Sequence, residues 1–435
     1  MKKQATLNDL KTLADVPTGY MKGKPYRTQY NARGAVTRTS LPYFEGIETP
    51  RYKSFTYDPM GRVTQATSPD PNTRVLSCYD EGVTVTIDPN NHRKRKTRDA
   101  YGRLKKVEEY TGTYTACSTE AGTPYATTSF QYDVLGNLRF VTDAKGNQTE
   151  MRYNTLGRKY YMKDPDMGEW SYGYDANGNL TAQTDARNQT IRFSYDPLNR
   201  ITLKDYPSGT DVVFTYDESF STNPKGRLTT MTDESGNTKY FYDGLGRITR
   251  SVRTVDGVSY PISFGYESGR LKTVTYPDNE TLTYSYDTAG NLSQAGGYAT
   301  FTNYNALGQP GTLTFGNGVS TIYQYYSLNN RLYSITTNSP GEGLINLSYG
   351  YDNQGNITSI TDHLNASFPH NFTGRSFTPY PGKAHAYGVT GTGFQYDPNG
   401  NMTNNGQYSI LYTYDNMPRS IGGRQASSMT ATAPG

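Results

Sequence analysis

Aspartate is the residue whose type and spacing first suggest chemistry in this sequence. A pair of carboxylates can serve as general acid and base, and the two groups then stand in different environments. Here the aspartates recur in one short phrase, each directly after a tyrosine, as at Asp133, Asp175, Asp196 and Asp243. A phrase repeated this often indicates architecture, so the sequence predicts no enzymatic activity and no catalytic residue.

One acidic cluster stands apart from the repeated phrase. It is the segment Asp164-Pro165-Asp166-Met167-Gly168-Glu169-Trp170, which contains the sole tryptophan. It is either a site or a loop, and proline and glycine beside acids are more typical of a loop.

Metal and cofactor chemistry find little support. Cys78 and Cys117 are isolated in the sequence, and the four histidines form no set with ligand spacing. We expect no metal and no cofactor, and the two cysteines are either free or paired with each other.

The charge of the chain does not indicate nucleic-acid binding, because the net charge is only +4 and 43 basic residues are spread among 39 acidic ones. One basic run, His92-Arg93-Lys94-Arg95-Lys96 followed by Arg98, is an exception. It is either a polyanion-binding patch or a solvated strand kept soluble by its charge, and short charge runs favour the strand.

The phrase itself is periodic. Tyrosines at positions 132, 153, 174, 195 and 216 recur every 21 residues, and each begins a copy of Tyr-Asp-x-x-Gly-Arg/Asn or a close variant. A period of this length is typical of stacked supersecondary units. The chain is therefore interpreted as a repeat protein.

Each copy has the composition of a tight turn. The aspartate can accept a hydrogen bond from the backbone two residues later, and the glycine supplies a positive φ that closes a type I turn with a bulge. We therefore expect positive φ at Gly136, Gly157, Gly178 and Gly246. A second turn, here called the mid-unit turn, lies between successive copies; examples are Asp143 to Asn147, Asp185 to Asn188 and Asp233 to Asn237.

Between turns the residues alternate as in half-buried strands. Ile191, Phe193 and Tyr195 fall on one face, and Arg192 and Ser194 fall on the other. Two strands and two turns fill the period and leave no room for a helix. The sequence predicts an all-β array of antiparallel β-hairpins wound as a spiral ribbon. Because hydrophobic content is 34% and includes 41 tyrosines, tyrosine rings should build much of the core.

The array is bounded on both sides. Residues 1–50 are a lead-in segment, in which Leu7, Leu10 and Leu13 can form a short helical face. Residues 51–423 are the repeat array, which is most regular over 130–250. Residues 424–435 are a flexible tail. A looser insertion runs from Pro369 to Gly393, and the last copy begins at Tyr414. The predicted structural turn residues are Tyr57, Asp58, Gly61, Arg62, Tyr132, Asp133, Gly136, Tyr153, Gly157, Arg158, Tyr174, Asp175, Gly178, Tyr195, Asp196, Arg200, Tyr242, Asp243, Gly246, Arg247, Tyr286, Asp287, Gly290, Tyr351, Asp352, Gly355, Tyr396, Asp397 and Gly400.

These motifs resemble the YD-repeat (Rhs-repeat) family over about Tyr57 to Arg419. The family includes bacterial Rhs and wall-associated polymorphic toxins, the B and C components of Tc toxin complexes, and more distantly the teneurins. The resemblance implies a β-hairpin ribbon that spirals into a hollow shell around a C-terminal toxin domain. It also implies paired Asp-Pro-x-Gly motifs for self-cleavage, whereas Asp58-Pro59 and Asp397-Pro398 here lie far apart within repeat turns.

The leading functional hypothesis is a non-catalytic shell segment of an Rhs or Tc-type toxin. Its expected partner is a C-terminal toxin domain, absent from these residues, or the remainder of the shell. The alternative is an extracellular adhesion module that binds cell-surface glycans through tyrosine rows, and a β-scaffold glycosidase or lyase is a third hypothesis. We expect a secreted or cell-surface location, with no signal peptide, no membrane span and no nucleic acid partner.

Overall fold

The computed structural model describes residues 16–21, 24–364, 370–371, 394–422 and 424–425. Leu7, Leu10 and Leu13 lie outside the described residues, as do most of the insertion from Pro369 to Gly393 and most of the tail. The domain boundaries at residues 50 and 423 stay predictions.

The described residues form β-strands and turns, with no helix among them. In the first half of the chain the strands are β1 (Val16–Met21), β2 (Lys24–Tyr30), β3 (Val36–Ser40), β4 (Tyr52–Tyr57), β5 (Val63–Thr67), β6 (Arg74–Asp80), β7 (Val83–Ile87), β8 (Arg93–Arg98), β9 (Leu104–Tyr110), β10 (Ala126–Tyr132), β11 (Leu138–Thr142), β12 (Gln148–Tyr153), β13 (Lys159–Asp164), β14 (Gly168–Tyr174), β15 (Leu180–Thr184), β16 (Thr190–Tyr195), β17 (Ile201–Asp205) and β18 (Val212–Tyr216). They continue as β19 (Leu228–Asp233), β20 (Gly236–Tyr242), β21 (Ile248–Val255), β22 (Val258–Glu267), β23 (Arg270–Thr275), β24 (Thr281–Tyr286), β25 (Leu292–Ala295), β26 (Ala299–Thr302), β27 (Thr312–Phe315), β28 (Ser320–Tyr325), β29 (Leu332–Ser339), β30 (Glu342–Tyr351), β31 (Ile357–Asp362), β32 (His370–Asn371), β33 (Phe394–Tyr396), β34 (Met402–Asn405), β35 (Ile410–Tyr412), β36 (Pro418–Ile421) and β37 (Arg424–Gln425).

Within three runs of the chain, each strand pairs antiparallel with the next one. This holds from β1 to β9, from β10 to β23 and from β24 to β32. Strands β33 and β34 form a further hairpin, and β35 to β37 form a short meander. The predicted all-β array of antiparallel hairpins is confirmed.

A bulge precedes the turn in the regular copies. The register shifts directly before the tyrosine, so that Tyr195, the last residue of β16, faces Ile201, the first residue of β17. The same shift occurs before Tyr132, Tyr153 and Tyr174. The predicted turn glycines have positive φ, at 87° for Gly136, 75° for Gly157, 94° for Gly178 and 84° for Gly246, which confirms the turn assignment.

The chain divides into two compact units. Unit 1 comprises residues 1–127 and 282–375, and unit 2 comprises residues 128–281 and 376–435. In unit 1 the most buried side chains are Val85 and Ile87 of β7. In unit 2, Val212, Phe214 and Met231 form a small core against which partly buried residues pack, among them Tyr206, Tyr216 and Tyr240.

The strand faces follow the predicted alternation in β16. Ile191 is buried, Phe193 and Tyr195 are half-buried, and Arg192 and Ser194 are exposed. One face of the hairpin is thus apolar and tyrosine-rich, as the composition suggests.

A disulfide settles the state of the two cysteines. Cys78 of β6 is bonded to Cys117, which lies in the segment between β9 and β10. That segment also lies over Arg93, whose guanidinium donates hydrogen bonds to the carbonyls of Ser118, at 3.2 Å, and Glu120. The disulfide therefore holds an otherwise irregular segment of unit 1 against strands β6 to β8.

Candidate functional site

The recurring feature of this structure is the turn after each repeat tyrosine, which we call the YD turn. In the copy at Asp133, one carboxylate oxygen accepts hydrogen bonds from the backbone N–H groups of Leu135, at 3.0 Å, and Asn137, at 2.8 Å. The other oxygen accepts one from the Asn137 side chain at 2.9 Å. The Asn137 side chain, helped by the backbone N–H groups, lowers the pKa of Asp133 despite the opposing effect of desolvation. We call this aspartate the hub of the turn, because its carboxylate accepts hydrogen bonds from the residues that follow it.

The residue after the turn glycine, or after the asparagine that replaces it, connects one repeat to the next where it is arginine. Arg200 forms an ion pair with the hub Asp196 at 2.7 Å and a second with Asp217 of the following repeat at 2.8 Å. Its guanidinium also lies 4.3 Å from the ring centroid of Tyr216. Arg62, Arg158, Arg247 and Arg331 lie over the tyrosine of the next repeat in the same way.

The repeat tyrosine makes the complementary connection backwards. The Tyr195 hydroxyl donates a 2.9 Å hydrogen bond to the backbone carbonyl of Leu180, the first strand residue of the preceding repeat. The same bond, at 2.5 to 3.0 Å, joins Tyr57 to Val36, Tyr79 to Val63, Tyr174 to Lys159, Tyr216 to Ile201, Tyr242 to Leu228, Tyr266 to Ile248, Tyr304 to Leu292, Tyr325 to Pro310, Tyr351 to Leu332 and Tyr412 to Met402. Each repeat is thereby bonded to its neighbour by a side chain as well as by its strands.

In unit 2, turns far apart in sequence also contact each other. The mid-unit turn at Asp185 meets the YD turn at Asp397: the Asn399 side chain donates to the Asp185 carboxylate at 2.6 Å and accepts from the Ala186 backbone at 3.0 Å. Arg187 donates to the Tyr414 carbonyl at 3.3 Å. Asp185 is 5% and Asn399 7% exposed, so this contact is closed to solvent.

The next hairpin of unit 2 extends the same contact. Tyr206 donates to the Asp415 carboxylate at 2.6 Å and stacks on Tyr414, with ring centroids 5.8 Å apart. Lys204 forms an ion pair with the same carboxylate at 2.5 Å. Burial and the Asp415 carboxylate raise the pKa of Tyr206, so its hydroxyl stays protonated as a donor.

Unit 1 repeats this arrangement with different residues. The mid-unit turn at Asp88 meets the YD turn at Asp352: Asn90 donates to the Asp352 carboxylate at 2.9 Å and accepts from the Asn353 backbone at 3.1 Å. The Gln354 side chain donates to Asp88. In both units, therefore, mid-unit turns of earlier hairpins bond to YD turns of later ones.

The predicted turn residues occupy the expected positions in the strands and turns. The repeat tyrosines at 57, 132, 153, 174, 195, 242, 286, 351 and 396 each end a strand, and the aspartate, glycine and arginine positions follow in the turn. The two Asp-Pro-x-Gly sequences lie in different units. Asp58 pairs with Arg62 at 2.7 Å and Asp397 accepts from Asn401 at 2.9 Å, so each carboxylate is used within its own turn.

The acidic cluster with the sole tryptophan is a hairpin turn. Asp164 of β13 faces Gly168 of β14, and Trp170 is buried with its ring N–H donating to the Met167 carbonyl at 2.9 Å. This supports the loop interpretation over a site. Among the residues that the structure describes, no group of three or more histidine, cysteine, aspartate or glutamate side chains is placed to hold a metal ion.

The basic run forms β8, and its charges are largely paired. Lys94 pairs with Glu109 at 2.7 Å and Arg95 with Glu108 at 2.8 Å. Arg93 is buried with its guanidinium 4.4 Å from the ring centroid of Tyr110. The arrangement favours the strand interpretation over a polyanion patch. No helix in the described part of the chain is long and apolar enough to cross a lipid bilayer.

Copies near both ends of the array differ from the sequence analysis. The last copy was placed at Tyr414, but the turn runs from Thr413 to Met417, and Tyr412 makes the bond to the preceding repeat. Tyr414 instead contacts Ser208, at 2.6 Å between the two hydroxyls. Threonine replaces aspartate as the hub, so the Tyr414-Asp415 pair does not begin this turn.

A copy that the sequence analysis did not predict lies within the predicted lead-in. It is the turn Tyr30-Asn31-Ala32-Arg33-Gly34, in which asparagine is the hub and Gly34 has a φ of 77°. The Tyr-Asn-x-x-Gly spacing was a usable signal, because the copies at Asn154 and Asn305 share it.

The comparisons with known proteins agree with this geometry. The RHS repeat family model matches residues 174–211, 223–259 and 266–297, which confirms the resemblance inferred from the tyrosine and aspartate phrases. No curated protein sequence matches the chain.

Solved structures share the fold at low identity. A crystal structure of TcdB2-TccC3 matches with a TM-score of 0.71 and 17% identity over 94% of this chain and 27% of that one. A TcdB2-TccC3-Cdc42 crystal structure matches with a TM-score of 0.65 and 20% identity over 78% of this chain and 20% of that one. A Photorhabdus luminescens Tc holotoxin pore matches with a TM-score of 0.64 and 18% identity over 91% of this chain and 23% of that one. The chain thus spans about a quarter of the length of these structures.

Proposed function

We propose that this RHS-repeat chain is a non-catalytic segment of the shell of a Tc-type toxin, and that the complete shell encloses a C-terminal toxin domain. The observation that carries the proposal is the fold: nearly the whole ribbon, 94% of the chain, superimposes on a TcdB2-TccC3 structure with a TM-score of 0.71. The partners are then the remainder of the shell and the toxin domain, and the site of action is outside the producing cell.

The use of the polar side chains supports a structural role. The hub aspartates accept backbone hydrogen bonds within their turns, and Arg200 bridges two of them. The repeat tyrosines donate to backbone carbonyls. Catalytic groups need a reacting partner within hydrogen-bond reach, whereas these groups are already bonded to the chain itself. The repeated functional groups are therefore assigned to holding the wall together.

A containing wall must also resist opening between neighbouring segments. The mid-unit turns that bond to YD turns at Asp185 with Asn399, and at Asn90 with Asp352, provide such bonds in each unit. Each is one of several contacts of the same kind along an edge, so the loss of one leaves the others in place. This distribution suits a container better than a single binding site.

The glycan-binding alternative receives less support. It requires tyrosine faces and hydroxyls that are available to sugars. In the regular copies, the hydroxyl of Tyr216 is bonded to the chain and its ring lies beside Arg200. The repeat tyrosines are therefore poor stacking platforms for a sugar ring.

Electron cryo-microscopy of the full polypeptide that contains this chain tests the proposal. We expect the hairpin ribbon to line a closed internal volume that holds density for a further domain. The enclosed domain should resist an added protease until the wall is opened by denaturant. A ribbon that encloses no volume, or a downstream domain cleaved as fast as the isolated domain, would contradict the shell role.

A further inference from the structure

One segment of unit 1 departs from the hairpin pattern. The chain between β9 and β10, residues 111–125, contains no strand, and we call it the strap. Cys117, near its centre, is bonded to Cys78 of β6. Most side chains of the strap are exposed, and none is fully buried. The strap therefore buries little side-chain surface of its own that could hold it on the sheet.

The strap lies on two rows of side chains that cross strands β6 to β9. Cross-strand partners place their side chains on the same face of a sheet, so the strand register defines each row. The first row is Cys78, Val85, Arg95 and Glu108, and the second is Leu76, Ile87, Arg93 and Tyr110. The buried members of the two rows are Val85, Ile87, Arg93, Glu108 and Tyr110.

Backbone carbonyls of the strap bind the arginines of both rows. The Arg93 guanidinium donates to the carbonyl of Ser118 at 3.2 Å and to that of Glu120. Arg95 donates from Nε to the carbonyl of Thr119 at 3.4 Å. Water can replace a carbonyl acceptor in each of these bonds, so they contribute only modestly to docking.

Docking of the strap is unfavourable at two polar atoms. Gly122 packs closely on the second row, since a methyl group at this position would lie 3.3 Å from the Tyr110 ring and 3.4 Å from the Arg93 guanidinium. The Arg93 Nε and the Tyr110 hydroxyl are buried with no hydrogen-bond partner among the described residues. Burial of an unpaired polar atom opposes docking, and both atoms would gain contact with water if the strap lifted.

We propose that the Cys78–Cys117 disulfide is a redox latch that holds the strap on the sheet, and that a thiol reductant releases the strap. A thiolate of the reductant attacks one sulfur and forms a mixed disulfide, which a second thiol then resolves. The two cysteines take up two electrons and two protons, and the reductant becomes a disulfide. Neither cysteine is fully buried, so a small thiol can reach the bond. The inference does not depend on the shell role.

Release of the strap uncovers the two rows while the strands beneath stay paired. Val85 and Ile87 then present apolar surface, and Arg93 beside them loses its carbonyl acceptors and becomes an available cation. Such a surface suits a partner that has an apolar group next to an anionic one. Disulfides persist outside cells and are reduced by cytosolic thiols, so the surface is concealed in the first environment and available in the second.

Limited proteolysis of the full chain with a cysteine-free, glutamate-specific protease tests the latch. Glu120 is the one acidic residue between positions 111 and 125. Cleavage after Glu120 should be slow in the oxidised chain, and dithiothreitol should speed it about tenfold, because cleavage follows the population of the open strap. Cleavage after Glu267 of unit 2, whose side chain is 68% exposed, should proceed at the same rate with and without reductant.

A variant with Cys78→Ser and Cys117→Ser separates the latch from other effects of the reductant. It should be cut after Glu120 as fast as the reduced chain, and dithiothreitol should leave its rate unchanged. Cleavage after Glu108 and Glu109 of β9 should stay slow in every sample, because the strands remain paired. Equal cleavage after Glu120 with and without the disulfide would overturn the proposal. Cleavage in β9 that rises together with it would do the same, since the whole region would then be unfolding.

Binding of anilinonaphthalene sulfonate, a dye with an apolar ring system and an anionic group, tests whether the two rows are uncovered. Its fluorescence should rise when the chain is reduced, and the serine variant should show the same rise without reductant. Adding Arg93→Gln to the serine variant should weaken dye binding, whereas Arg192→Gln, at an exposed position of β16, should leave it unchanged. No rise on reduction, or a rise that Arg93→Gln does not diminish, would contradict the uncovered surface.

Discussion

The Tyr195 hydroxyl donates a 2.9 Å hydrogen bond to the backbone carbonyl of Leu180, one repeat earlier in the chain. This bond and its equivalents join neighbouring hairpins. In this copy the β-bulge lies directly before the tyrosine that donates the bond. Most of the stability of the ribbon should therefore come from nearest-neighbour contacts, as in other repeat proteins.

Replacing Tyr195 with phenylalanine should destabilise the chain by about 1 kcal/mol, because the ring is kept while one hydrogen bond to a carbonyl is lost. Tyr160→Phe is the matched control, since its side chain is 43% exposed and lies on β13 of the same unit. Urea denaturation followed by circular dichroism measures both. Equal stability of the two variants would show that the hydroxyl contact contributes little.

The turn glycines should tolerate asparagine but not valine. Gly178 has a φ of 94° with open space around it, so a substitution there meets backbone strain and no clash. Gly178→Val should cost about 1 to 2 kcal/mol, because a β-branched residue is poorly accommodated at positive φ. Gly178→Asn should cost less, since Asn199 has a φ of 61° in the equivalent position of the next copy. Denaturation midpoints of the two variants compare them, and a smaller loss for valine than for asparagine would refute the turn assignment.

Reducing the disulfide should weaken unit 1 selectively. Cys78 and Cys117 are 39 residues apart, and closing a loop of that size stabilises a protein by about 3 to 4 kcal/mol in the chain-entropy model. Reductant should therefore speed hydrogen exchange in β6 to β9 and in the segment 111–125, while β16 to β20 of unit 2 exchange as before. A Cys78→Ser, Cys117→Ser variant should behave in the same way without reductant. Unchanged exchange in β6 to β9 would mean that the disulfide adds nothing to this region.

Acid should loosen the turns of the ribbon. Burial tends to raise the pKa of Asp352, but hydrogen bonds from Asn356, Asn90 and the turn backbone outweigh it and lower the pKa to about 2. Because the folded pKa lies below the unfolded value of about 3.9, the stabilisation is present above that value and is lost as the pH falls towards 2. Hub Asp133 and hub Asp175 also have lowered pKa values, owing first to the side chains of Asn137 and Asn179.

The variant Asp352→Asn isolates this effect, because asparagine is a natural hub at Asn154 and Asn305. Its unfolding midpoint in urea should depend less on pH between 5 and about 2 than that of the unaltered chain. The same pH dependence in both proteins would assign the acid sensitivity to other groups.

The turn geometry was predictable from the sequence, because it depends on contacts among the residues of one copy. The aspartate hub and the positive φ of Gly136 follow from the Tyr-Asp-x-x-Gly spacing, because turn geometry is set by neighbours in the chain. The alternation in β16 follows for the same reason. The copy at Tyr412 was misplaced because Thr413 makes the hub in place of aspartate.

Contacts between distant turns were not predictable in this way. Nothing in the repeat spacing indicates that Asn399 meets Asp185, since the pairing depends on how the ribbon returns on itself within unit 2. The sequence likewise did not determine whether Cys78 and Cys117 are bonded. They are 39 residues apart in an array of variable spacing, so the sequence does not give the distance between them. The bond from the tyrosine hydroxyl to a carbonyl was not predictable either, because its acceptor is a backbone atom that every residue type has.

The most direct test of nearest-neighbour stabilisation is hydrogen exchange on the full chain and on a chain that ends after Arg250. In the shorter chain, β10 to β19 keep their neighbours on both sides, so their amides should remain protected. Exchange should rise in β20 and β21 at the new end, and in the turns that lose distant contacts. These are the turn at 185–189, which loses Asn399, the turn after β17, which loses Tyr414 and Asp415, and the turn at Asp88, which loses Gln354. Loss of protection throughout β10 to β19 would contradict the account, because it would show that the repeats are held by distant segments and not by their neighbours.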